Sequence, residues 1–130
     1  MKKEISETEI KNTTKGKLPS LLFTAIKNFA LGENYELSLV FIGDKLSQKL
    51  NNQYRDKNKP ADILSFPLTK TSGEIFINLR KARKDAKNYD RNPENFIAFL
   101  FIHGLIHLKG FEHSSKMELQ EKKIREKFKI

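Results

Sequence analysis

All three histidines of this 130-residue chain fall within one window, His103-Gly-Leu-Ile-His107-Leu-Lys-Gly110-Phe-Glu-His113. Residues four apart on an α-helix share a face, so His103 and His107 can aim ring nitrogens at one point. Gly110 can take the left-handed conformation that ends a helix and turns the chain back. His113 can then close on the same point. Three imidazoles at about 2.0–2.1 Å from one ion, with water in the fourth position, form a catalytic zinc arrangement that can polarise a substrate. A lone histidine on an apolar helix is more often a hydrogen-bonded core residue, and two buried imidazoles without an ion each need a separate partner. Three at this spacing, with a glycine placed for the return, read as ligands. The expected chemistry is metal-dependent hydrolysis, with His103, His107 and His113 as both metal ligands and members of the catalytic centre.

The pattern His-x-x-x-His-x-x-Gly-x-x-His also matches the metal-binding spacing of metzincin-type proteases, which place a general-base glutamate directly after the first histidine. Here that position is Gly104, which has no side chain to accept a proton. The ligand set survives, and the peptidase base does not.

Positioning these ligands is the task of the surrounding elements. Asn92-Pro93-Glu94 marks a helix start, with a capping Asn, Pro in the first turn and an early carboxylate. That helix runs to about Lys109, stops at Gly110 and is apolar almost all round, so it should be the buried central helix. Ser115-x-x-Glu118 reads as a capping box opening a last, basic helix through Phe128. Upstream, Leu18 to Leu31 carries a helical apolar stripe closed by Gly32, and Tyr35 to Ile42 alternates as a strand. Asp44 can cap a helix through Tyr54 with Leu46 and Leu50 inward. Residues 56–60 read as a loop, Asp62 to Phe66 as a strand stopped by Pro67, Gly73 to Asn78 as another strand, and Arg80 to Tyr89 as a polar helix. Glu4 to Ile10 could add a short edge strand. Helices and strands mix without regular βαβ alternation, which predicts an α+β class, a mixed sheet and one domain over residues 1–130.

The 25 Lys and Arg against 16 Asp and Glu leave a net charge of +9. Such a surplus favours polyanionic partners, although lysine-rich solvated faces would give the same total. There is no cysteine, hence no disulfide framework and no thiolate ligand. The N-terminal residues lack an apolar run, and the longest apolar stretch, Phe96 to Leu108, is shorter than the ~20 residues a bilayer span needs. A cytoplasmic protein without a membrane partner is expected.

Three ordered blocks carry a family resemblance. His103 to His113 resembles the signature of the YbeY family of endoribonucleases and ribosomal RNA maturation factors. Leu50-Asn51-Asn52-Gln53-Tyr54-Arg55 is similar to its Leu-Asn-x-x-Tyr-Arg block, and Lys59-Pro60-Ala61-Asp62-Ile63-Leu64-Ser65-Phe66-Pro67 to its Lys-Pro-Thr-Asp-Val-Leu-Ser-Phe-Pro block. Gly73-Glu74-Ile75 resembles its Gly-Asp-Ile strand, and the likeness runs from about Leu37 to Glu121. Ala61 replaces the usual Thr, Phe111-Glu112 replaces Tyr-Asp, and the stretch from His113 to Met117 is shorter than typical. The resemblance implies zinc, cleavage of single-stranded RNA in ribosomal RNA maturation and ribosome quality control, and association with the small ribosomal subunit or its proteins. Within it Arg55 becomes a catalytic candidate, since a guanidinium can grip a phosphate with two parallel hydrogen bonds. Asp62 reads as a loop organiser, and Glu74 and Glu112 as candidate carboxylates behind the ligands. Two other readings stand beside this one: a ribosome assembly factor with a mainly structural metal, and a peptidase with its base elsewhere.

Overall fold

A computed structural model describes residues 8–19, 21–110 and 115–130. Four strands form one sheet in the order β1-β2-β4-β3, comprising β1 (Glu9–Asn12), β2 (Glu36–Ile42), β3 (Ile63–Thr69) and β4 (Ser72–Asn78). β1 and β4 flank β2 in parallel, while β3 and β4 form an antiparallel hairpin across Lys70-Thr71. The sheet is therefore mixed, and with its helices the fold is a single-domain α+β arrangement.

The strand alternation sorts residues between two faces. Leu37, Leu39 and Phe41 of β2 and Ile75 and Ile77 of β4 belong to the main core, all nearly inaccessible to solvent. That core is shared with α1 (Phe23–Leu31), α4 (Pro93–Leu108) and α5 (Ser115–Phe128). Phe23 of α1 meets Phe101 of α4 edge-on, ring centroids 5.0 Å apart. α4 starts as its sequence demands: the Asn92 side chain accepts the Asn95 N–H at 2.8 Å and Pro93 takes the first turn. It is buried on nearly every side and ends at Leu108, capped by Lys109, and the chain then turns at Gly110, whose φ of +96° a side chain would resist.

Several expectations shift. α1 begins at Phe23 rather than Leu18, because Pro19 disfavours helical geometry at the residue before it. Leu18 and Leu21 still pack on the core from outside the helix. The strand read as stopping at Pro67 continues to Thr69, since β3 is a sheet edge with a register shift between Pro67 and Thr69. An edge tolerates a residue that cannot donate a ladder hydrogen bond. The edge strand expected over Glu4 to Ile10 is observed at Glu9–Asn12, with residues 4–7 outside the described residues. The stretch from Arg80 to Tyr89 is α3 (Leu79–Asp85) followed by a 3₁₀ turn (Ala86–Tyr89), and it buries Leu79, Ala82 and Ala86.

The largest correction concerns α2 (Asp44–Arg55). Asp44 is its first residue, not its cap, and its carboxylate instead accepts from Asn78 at 2.8 Å and from Arg80 at 2.5 Å. Leu46 remains 38% exposed, Leu50 is half-buried, and the fully buried positions are Ser47 and Asn51. This inward stripe is polar because it faces backbone groups of the loop before β3, which need hydrogen-bond partners once covered.

Candidate metal centre

His103 and His107 lie one turn apart on the buried helix α4, and their Nε2 atoms approach to 3.1 Å with the rings nearly perpendicular. The His103 Nδ1 lies 2.9 Å from Oε1 of Glu121, whose side chain is only 7% exposed. A carboxylate in this position accepts from Nδ1–H and so favours the tautomer whose Nε2 lone pair is aimed toward His107. Two nitrogens on one tetrahedral ion at 2.0–2.1 Å stand about 3.3 Å apart. The observed pair, at hydrogen-bond distance of each other, is within a few tenths of an ångström of that span, so the two side chains are compatible with sharing such an ion. Among the described residues no group of three His, Cys, Asp or Glu side chains is placed to hold a metal. His113, the expected third ligand, and Glu112 lie outside the described residues.

Gly104 has a second role beyond leaving out a base. A Cβ there would stand 2.8 Å from both Ile63 Cδ1 and Ser65 Oγ, and 3.1 Å from Ile75 Cδ1. The glycine lets α4 approach the sheet closely, and any side chain at this position would point into β3 and β4 rather than toward the histidine nitrogens. A peptidase-style glutamate at position 104 is therefore excluded by the packing as well as by the sequence.

The histidine pair opens on a cleft of about 1380 Å³. Arg55 and Asp62 line the same cleft, so the structure brings the three sequence blocks to one place. Arg55 is the last residue of α2, after which Asp56 turns the chain in the left-handed conformation (φ 59°). The returning loop is pinned from α2: Ser47 Oγ donates to the Ala61 carbonyl at 2.8 Å and accepts the Ala61 N–H at 2.9 Å, and Asn51 donates to the Lys59 carbonyl at 2.9 Å. The loop is thus held through backbone groups, and the hydroxyl missing at Ala61 is not needed for it. Asp62 follows, its backbone carbonyl accepting from Asn78 N–H at 2.9 Å. Burial pushes its carboxyl pKa up, opposed by the nearby Lys81 and by a hydrogen bond from the Ile63 N–H. That contact suits a loop organiser.

Glu74 is not part of the centre. Its neighbours Gly73 and Ile75 face α4, so Glu74 points to the opposite face of the sheet, away from the histidines. The carboxylate behind His103 is Glu121, which the sequence reading missed. Its signal was the spacing Met117, Glu121, Ile124, which places a carboxylate on the buried stripe of α5.

The model of the family described as endoribonuclease YbeY matches residues 1–129. The chain belongs to the YbeY family. The endoribonuclease YbeY of Phytoplasma mali is 42% identical over 96 residues, covering 72% of this chain and 65% of that protein. The YbeY of Alkaliphilus metalliredigens is 35% identical over 120 residues, covering 84% of this chain and 77% of that protein. The chain thus matches just under two thirds of the length of the first relative and about three quarters of the second. The solution structure of TM1509 from Thermotoga maritima superposes with a TM-score of 0.68 at 21% identity, covering 94% of this chain and 91% of that one, a likeness of fold. Membership of the YbeY family accords with the Arg55 block, the Asp62 block and the histidine window lying around one cleft. Among the described residues no helix is long and apolar enough to cross a membrane.

Proposed function

We propose that this chain is a zinc-dependent endoribonuclease of one domain, residues 1–130. It would cut single-stranded RNA in ribosomal RNA maturation and ribosome quality control in the cytoplasm, in association with the small ribosomal subunit or its proteins. The observation that carries this reading is the convergence of the His103 and His107 Nε2 atoms, 3.1 Å apart, on a cleft that Arg55 also lines. His103, His107 and His113 would hold the ion. When bound, zinc supplies Lewis acidity that draws charge from a phosphate oxygen and makes a coordinated water acidic.

The chain's own residues do the rest. Glu121 keeps the His103 proton on Nδ1, so that Nε2 faces the ion with its lone pair. Arg55 offers two parallel N–H donors to a phosphodiester and favours the extra negative charge that builds during cleavage. Lys57, Lys59 and Lys122 on the rim of the cleft attract the RNA backbone without reading its sequence.

The test is chelator-controlled cleavage of a single-stranded RNA by the wild type, His107→Ala and Arg55→Glu. Metal-dependent cutting, lost in both variants while Arg55→Glu keeps its zinc, supports the reading. Unchanged cutting in both variants overturns it, and tight ribosome association without metal-dependent cleavage would favour the assembly-factor reading instead.

A further inference from the structure

A second group of side chains lines the cleft beyond the histidines and has no part in holding the metal. Phe96, Phe99, Leu100, His103 and His107 follow one another along a single face of α4 and all border the cleft. Phe99 is one turn from His103, about 6 Å along the helix axis. Tyr89, at the end of the 3₁₀ turn, stacks on Phe96 with ring centroids 4.7 Å apart and planes 22° from parallel. The ring also meets Phe99 at a tilt of 38°, centroids 6.3 Å apart, and the residue remains 54% exposed. An exposed aromatic ring whose back rests on a buried one is a rigid platform for another flat ring.

Two arginines stand beside it. The Arg91 guanidinium lies 4.4 Å from the centre of the Phe99 ring and that of Arg125 lies 5.4 Å from it. No ion pair joins either to a carboxylate among the described residues. Burial, with the Arg125 charge close by, lowers the Arg91 pKa. Arg125 borders the cleft, while Arg91 stands behind it on Phe99 and donates to the Asn95 side chain, and two neighbouring cations favour an anion nearby.

We propose that Tyr89, with Arg125 and Arg91, forms a nucleotide subsite next to the metal centre: a nucleobase stacks on the open face of Tyr89 and its phosphate lies by the two guanidiniums. Stacking is indifferent to which base arrives, and a base is available to stack only when it is unpaired. The subsite would thus select single-stranded RNA over duplex without selecting a sequence. This proposal rests on the reading of the chain as an endoribonuclease.

The experiment is equilibrium binding, by fluorescence anisotropy, of a 2′-O-methyl oligoribonucleotide that resists cleavage and of an otherwise identical strand with abasic positions. For the strand with bases, Tyr89→Leu should raise Kd about 5- to 100-fold, and Tyr89→Trp should restore it. On the abasic strand Tyr89→Leu should change nothing. Arg125→Gln should weaken both strands and reduce the salt dependence by about one phosphate contact. Equal binding by wild type and Tyr89→Leu, or an equal loss on both strands that Trp does not restore, overturns the subsite and leaves the endoribonuclease reading standing. A wild type that binds neither strand overturns that reading, and the subsite with it.

Discussion

The wall of the cleft that carries the histidines is held by apolar packing, whereas the wall that carries Arg55 and Asp62 is held by hydrogen bonds to a loop. On the first, α4 is buried on nearly all sides and Gly104 brings it against Ile63, Ser65 and Ile75. On the second, α2 buries Ser47 and Asn51, and these two side chains fix the backbone at Ala61 and Lys59. Dense packing gives ligands a single position, which an ion with short, directional bonds requires. A hydrogen-bonded loop is held less stiffly, which suits the role proposed for Arg55 beside a long and variable polyanion.

The sharpest way to break this contrast is Gly104→Glu. Its carboxylate would enter the apolar contact between α4 and the hairpin, and urea unfolding should show a loss of about 3–5 kcal/mol. A loss under about 1 kcal/mol would mean that the histidine wall is not closely packed. Glu121→Gln keeps an acceptor near His103 and removes the charge. Zinc affinity measured by competition with a chelator should fall about 10- to 100-fold while the fold remains. On the other wall, Asn51→Ala leaves the Lys59 carbonyl without its partner and should cost about 1–3 kcal/mol. It should weaken RNA binding and leave the bound zinc unchanged, so loss of zinc in this variant would merge the two walls into one unit.

The smallest effect concerns pH. Burial raises the pKa of Asp62 above its ordinary value of 3.8 in the folded chain. The native state therefore holds this proton more tightly than the unfolded one, and the group's contribution to stability falls as pH rises from about 4 through the folded pKa. Asp62→Asn should be slightly more stable than wild type at pH 7, and the advantage should disappear near pH 3. The same Tm difference at both pH values would show that the carboxyl is not strained by burial.

Much of the histidine wall was legible from sequence, because its determinants are local. Asn92-Pro93 starts α4, Gly110 turns the chain just beyond its end, and four-residue spacing alone pairs His103 with His107. The rest depended on contacts between distant segments. Glu121 lies 18 residues from His103 and reaches it only through packing of α5 on α4. The inward polar stripe of α2 could not be read from helical periodicity, which favours Leu46 and Leu50, because what it faces is loop backbone rather than core. Pro67 looked like a strand end only while β3 was not known to be a sheet edge. The misplacement of Glu74 was avoidable, since alternation with Gly73 and Ile75 already puts it on the other face.

The most direct measurement is zinc-edge X-ray absorption on the protein loaded with one equivalent of zinc, for the wild type and His107→Ala. Three imidazole nitrogens and one oxygen at about 2.0–2.1 Å in the wild type, with one imidazole fewer or no bound zinc in the variant, is the predicted result. A wild-type zinc shell without imidazole, or one unchanged in His107→Ala, would contradict the assignment of these histidines as the metal centre.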